Sequence, residues 1–105
     1  MFIGTLSVDL LLGDVRSLKQ KRSVVRPIVA ELRRKLEVSA AEVGSLDVYR
    51  RAEIGVAIAA ADAGHCRKVL EAAERLVAER PEIELLSAHR TLHNDRDYEG
   101  AYDDG

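Results

Sequence analysis

Val38-Ser39-Ala40-Ala41-Glu42-Val43-Gly44-Ser45 and Ala52-Glu53-Ile54-Gly55-Val56-Ala57-Ile58-Ala59-Ala60 follow one another with only Leu46 to Arg51 between them. In the second segment Ile54, Val56 and Ile58 alternate with Gly55, Ala57 and Ala59, the period of two expected of a strand with one buried face. The first is short, β-compatible and ends in Gly44-Ser45. Two strands in direct succession, each bordered on its far side by a helical pattern, decide the fold, because they turn a simple β-α-β alternation into a split one.

Working outward, Phe2 to Leu11 alternates in the same way, with Phe2, Leu6, Val8 and Leu10 on one side and Thr5, Ser7 and Asp9 on the other. After the Gly13-Asp14 turn, Ser17 with Gln20 three residues later matches a capping box. Val24, Val25, Ile28, Val29, Leu32 and Leu36 then recur at helical spacing, predicting a helix over Leu18 to Leu36. Pro27 falls inside it, and an interior proline costs roughly 3 kcal/mol outside the first turn. Either the helix accommodates Pro27 or it starts at Ser23. The longer helix is preferred, since steps of about 100° put Pro27 opposite the apolar stripe. Downstream, Asp62 resembles an N-cap for a second helix carrying Val69, Leu70, Ala73, Leu76 and Val77, which stops before Pro81. Ile83 to Leu92 makes a fourth strand. The order β-α-β-β-α-β predicts an α+β, ferredoxin-like fold with two helices on one face of a four-stranded antiparallel sheet. Residues 1–93 are expected to form the single domain and 94–105, rich in Asp and Glu, a disordered tail.

Function is less legible than fold. Of 16 basic residues in a chain of net charge −2, Arg16, Lys19, Lys21, Arg22, Arg26, Arg33, Arg34 and Lys35 lie in one stretch opposed by Glu31 alone. Local potential, rather than net charge, attracts a charged partner. On a helix Lys19, Arg22, Arg26 and Arg33 share one stripe beside the apolar face, suited to a phosphate backbone. Arg16, Lys19, Lys21 and Arg22 crowd the positive end of the helix dipole, where a bound anion would relieve the conflict. Arg50 and Arg51 either extend this patch or serve the strand register and pair with Glu53. The alternative is a solvated charged face neutralised by acidic residues of the tail or of a second subunit. With few aromatic residues and small side chains at Thr5, Ser7, Gly55, Ala57 and Ala59, structured RNA or a ribosomal subunit is the preferred nucleic-acid partner over single strands. Those small residues also let a second layer approach, so the competing expectation is a homo-oligomeric module that binds a protein or a small anionic ligand, with a homodimer through the open sheet face.

No reaction is specified. His89 and His93 would sit about 13 Å apart along a strand and cannot share a zinc ion. His65 and Cys66 are adjacent and diverge by about 100° on a helix. Asp9, Glu53 and Glu42 are expected together on the open sheet face as exposed polar groups. No phosphate loop, nucleophile elbow or dinucleotide fingerprint is present. A non-enzymatic protein without catalytic residues, cofactor or metal is expected. The single cysteine and the lack of an apolar leader or membrane-length apolar run point to the reducing cytoplasm.

Three segments, Ser-Leu-Lys-Gln-Lys-Arg at Ser17 to Arg22, Ala-Glu-Val-Gly at Ala41 to Gly44 and Tyr-Arg-Arg-Ala-Glu-Ile-Gly-Val-Ala at Tyr49 to Ala57, together resemble the bacterial YlxP-like family. The resemblance runs in order and spacing from Met1 to about Leu92. It implies a ferredoxin-like fold of unknown function whose genes often neighbour those of translation initiation and ribosome maturation factors. It implies a setting rather than an activity, and it carries no catalytic set onto these positions.

Overall fold

The computed structural model describes residues 1–98. Strand β1 (Phe2–Leu12) leads through a short turn to helix α1 (Leu18–Leu36), followed by β2 (Ser39–Gly44), β3 (Arg51–Ala60), helix α2 (Ala63–Ala78) and β4 (Ile83–Asn94). The strands form one antiparallel sheet in the order β2-β3-β1-β4. This is the ferredoxin-like arrangement, with β1 and β3 in the centre because each is followed by a helix that crosses the sheet.

Alternation along the central strands places the core. Leu6, Val8, Leu10 and Leu12 of β1 and Ala52, Ile54 and Val56 of β3 are buried beneath the helices, while Thr5, Ser7, Asp9, Glu53, Gly55 and Ala57 occupy the opposite face. The helices close the core with Val25, Ile28, Val29 and Leu32 from α1 and Cys66, Leu70, Ala73 and Val77 from α2. Gly4 marks the closest approach of α2 to the sheet. A Cβ there would lie 3.0 Å from Leu70 Cδ1 and 3.4 Å from Cys66 Cβ, so a larger residue would push the helix off β1.

Both helices begin as the sequence predicts. Gln20 N–H donates to Ser17 Oγ at 3.1 Å, as in a capping box, and Gln20 Oε1 accepts from Arg16 N–H, one residue before the cap, at 2.6 Å. The Asp62 carboxylate accepts from Gly64 N–H at 3.1 Å. Helix α1 is the longer of the two alternatives and runs through Pro27, which is exposed. The proline ring therefore meets no packed neighbour, and its missing amide is lost on the solvent side, where water can serve the freed carbonyl. The helix ends with Glu37 at φ 53°, whose N–H donates to Arg33 O at 3.1 Å.

Beyond His93 the structure departs from the expected disordered tail. β4 continues through Asn94, which pairs with Phe2, and residues Asp95–Tyr98 form a 3-10 turn. Asp95 N–H donates to Met1 O at 2.9 Å, and the Met1 ammonium lies 3.0 Å from the Asp95 carboxylate. Its hydrogen bond to that ammonium holds the Asp95 carboxyl below the usual carboxylate range. The start of the acidic segment thus finishes the sheet. The expectation for residues 99–105 lies outside the described residues.

Replacing Pro27 with Ala restores the lost helical hydrogen bond at an exposed site. The substitution should raise unfolding free energy by about 2 kcal/mol, the interior-helix penalty less the entropy proline removes from the unfolded chain. Urea denaturation should show a higher midpoint at unchanged slope.

Candidate nucleic-acid interface

The candidate basic residues do not form one patch. Lys21 is the clearest correction: only 2% of it is exposed. Its Nζ donates to Ser45 O at 2.6 Å and Val48 O at 2.8 Å, and lies 2.8 Å from Glu42 Oε2. An ammonium has three protons, and here three oxygens surround it, so the buried charge is compensated on every side. Glu42 Oε2 is itself out of solvent and is balanced by the Lys21 charge rather than by a well-aligned hydrogen bond. Glu42 also departs from expectation. It shares the side of β2 that carries buried Ala40, facing α1, and so does not join Asp9 and Glu53 on the open face.

Arg50 and Arg51 also leave the patch. Arg50 Nε donates to Gly13 O at 3.0 Å and Leu12 O at 3.3 Å, tying the end of β1 to the β2–β3 loop. Arg51 pairs with Leu11 in register and belongs to the sheet face away from the helices. Arg16, at the entry to α1, has its Nε 3.2 Å from Asp14 Oδ1 in a fully solvated pair. That contact, the occupied capping box and the removal of Lys21 dissolve the anion site expected at the helix N-terminus.

What remains is the stripe. Lys19, Arg22 and Arg26 are exposed and have no side-chain hydrogen bond or ion pair among the described residues. Arg22, Arg26 and Arg33 line a groove of about 500 Å³ between α1 and the outer strand β2, floored by Val25, Val29, Ala30 and Ala41. Arg33 Nε donates to Ala40 O at 2.9 Å, laying its side chain across the free edge of β2. That contact covers part of an edge that would otherwise invite strand pairing. Arg34, a turn further round, is exposed, and Lys35 Nζ lies 3.5 Å from Glu31 Oε1, whose other oxygen takes Arg80 at 2.7 Å. Lys35 on the far side of α1 is therefore neutralised, and the uncompensated charge lies on Arg34 and on the stripe at the β2 side.

Other candidate chemistry is dispersed. His89 and His93 stand opposite Ser7 and Ile3. Among the described residues no cluster of three or more His, Cys, Asp or Glu is placed to hold a metal, and no helix is long and apolar enough to cross a membrane. Cys66 is buried, with its Sγ 3.9 Å from Phe2 O, while His65 is exposed. Asp9 accepts from Ser87 Oγ at 2.9 Å on the open face.

Sequence reasoning missed the β2–β3 loop. Leu46, Val48 and Tyr49 are all about half exposed, and with Val43 they make up four of the six exposed large apolar residues among the described residues. The loop is nonetheless fixed, by Lys21 on two carbonyls, by Val48 N–H donating to Ser45 O at 3.1 Å and by Arg50. Its apolar content was visible in the chain, but the cation that pins it lies more than twenty residues upstream.

The segments that carried the family resemblance meet here, through Lys21, Glu42 and the loop before Arg51. The family model for proteins of unknown function known as DUF503 matches residues 3–90. The chain belongs to the DUF503 family. An uncharacterised Bacillus subtilis (strain 168) member, YlxP, is 30% identical over 82 residues, covering 78% of this chain and 89% of its own. Among solved structures, a de novo designed protein with a ferredoxin fold aligns with TM-score 0.54 at 12% identity over 90% of this chain and 87% of its own. A dimeric ferredoxin-like protein of unknown function from Bacteroides fragilis NCTC 9343 aligns at 10% identity and TM-score 0.46, over 89% and 95% of the two chains. The first of these supports the fold alone.

Removing the Lys21 charge takes one hydrogen bond from each of two part-buried carbonyls and leaves Glu42 uncompensated. Lys21→Met should destabilise this DUF503 protein by about 3 kcal/mol, the low end for breaking a buried pair because Glu42 retains some solvent. Adding Glu42→Leu should recover part of that loss, as measured by a double-mutant cycle in urea.

Proposed function

We propose that this DUF503 protein is a cytoplasmic, non-enzymatic accessory factor that binds structured RNA, in a ribosomal subunit or an assembly intermediate, through the α1–β2 face. The observation that carries this reading is the unpaired stripe Lys19, Arg22 and Arg26, continued by Arg33 along one groove. Cations at helical spacings of three and four stand about 5–6 Å apart at Cβ and follow a line, as phosphates do. Contacts of this kind give sequence-independent affinity that falls with salt. Double-stranded RNA is read by shape and backbone, which requires no aromatic platform, and among the described residues no Phe, Tyr or Trp lies on the open face of β1 and β3.

Charge reversal of Lys19, Arg22 and Arg26 together should abolish measurable binding to ribosomal subunits and to RNA hairpins at physiological salt. The dependence of log K on log salt should flatten by about one unit per lost phosphate contact. Reversal of Arg67 and Lys68, exposed on α2, serves as the control and should leave affinity within about twofold. Unchanged affinity of the triple variant, or no binding by the native protein even at low salt, would overturn the reading.

A further inference from the structure

The helices cover one side of the sheet and leave the other without a second layer. Across the open side Thr5, Ser7, Ala41, Gly55 and Ala57 floor a shallow, mostly apolar depression of about 310 Å³. Val43 overhangs it: a Cβ on Gly55 would meet Val43 Cγ1 at 3.0 Å, yet Val43 is itself 53% exposed. The pinned loop with Leu46, Val48 and Tyr49 projects from the same end. At the opposite end a second apolar hollow of about 430 Å³ is lined by Met1, Ala59, Ala60 and Ala61. The chain therefore holds apolar projections at one end of its sheet and apolar hollows in the middle and at the other end.

We infer that this face is covered by a second copy of the same chain, related by a two-fold axis running across the strands. Shape selects the axis. A two-fold along the strands would bring the two β2–β3 loops to the same end and leave the hollows at Met1 and Ala61 unfilled. It would also lay the Asp9–Glu53 ends of the two copies against each other. The axis across the strands, passing near Leu6, keeps those ends apart, and each copy serves its own carboxylates there: Asp9 accepts from Ser87 Oγ at 2.9 Å, and Arg51 stands two residues from Glu53 on the same face. The same axis carries each β2–β3 loop towards the hollow at the partner's Met1 and Ala61. An isologous contact of this kind closes on itself and leaves no apolar projection uncovered.

The area is adequate. Four strands at spacings of about 4.8 Å and about 33 Å long give a footprint of about 600 Å² per copy. The overhanging loops bring this towards the ~800 Å² per partner of a standard interface, and sheets stack about 10 Å apart, close enough for Val43 and the Gly55 row to interlock. Because α1 lies on the other side of the sheet, this contact stands whether or not the RNA reading does.

Sedimentation equilibrium of the purified full chain, from micromolar to hundreds of micromolar, tests it. The native protein should approach twice the 11.6 kDa chain mass. Val43→Asp should weaken self-association at least about tenfold by burying an unpaired carboxylate. Tyr49→Asp, on an exposed side chain whose loss leaves folding intact, should do the same, and Ala78→Asp on α2 should not. If Val43→Asp fails to fold by circular dichroism, Tyr49→Asp decides. A native protein that stays monomeric throughout, or dimers indifferent to both substitutions, would overturn the proposal.

Discussion

A single ammonium group organises the half of the molecule in which the family signatures lie. Lys21 is carried into the interior by the first turns of α1 and there meets two carbonyls of the β2–β3 loop and the Glu42 carboxylate. Taking a lysine out of water costs several kcal/mol, and the cost is recovered only if every proton has an oxygen. The loop must therefore adopt the one path that presents Ser45 O and Val48 O together. Ser45 reaches it at φ 56°, a left-handed conformation that a non-glycine residue enters at a cost of about 1–2 kcal/mol. The cation shapes the loop together with the Val48–Ser45 turn and Arg50, which explains how a segment with three exposed apolar side chains stays fixed.

The same interaction explains which parts of the molecule the chain disclosed. Element order, helix caps and the burial alternation of β1 and β3 are written in local patterns, and each was legible because a strand or a capping box is specified within a few residues. Lys21 was misplaced because its residue type was given more weight than its position. It stands four residues before Val25 and seven before Ile28, in the middle of the apolar stripe, a position that faces the core. Glu42 followed the same logic, two residues from buried Ala40 and so on the helix side. What no local pattern disclosed was the partnership of Lys21 with a loop and a strand far along the chain. The extension of β4 to Asn94 was hidden for the same reason, since its support comes from Phe2 and Met1 at the other end of the sequence.

Removing Lys21 from the surface sharpens the remaining charge pattern. Arg16 has Asp14, Lys35 has Glu31, Arg50 is bound to carbonyls, and of the cations left without partners on α1 among the described residues all but Arg34 belong to the stripe beside β2. Exposed pairs such as Arg16–Asp14 contribute little to stability, so neutralisation there changes the local field more than the fold. The boundary of the basic stripe is in effect drawn by which arginines and lysines have found oxygen elsewhere.

A stripe of this kind on an acidic chain has a particular electrostatic character. At very low ionic strength the Debye length of about 30 Å exceeds the 22 Å shortest extent of the molecule, and an approaching polyanion experiences the net charge of −2 together with the stripe. Near physiological ionic strength it falls to about 8 Å, so the acidic residues on the far side of the sheet are screened while the stripe still acts at contact. Salt therefore weakens the long-range repulsion as well as the local attraction. Association of such a surface with a polyanion is governed less by steering from a distance than by the fit of the stripe once contact is made, which gives the fixed loop and the rigid α1–β2 groove a greater share in recognition than the bare count of positive charges would suggest.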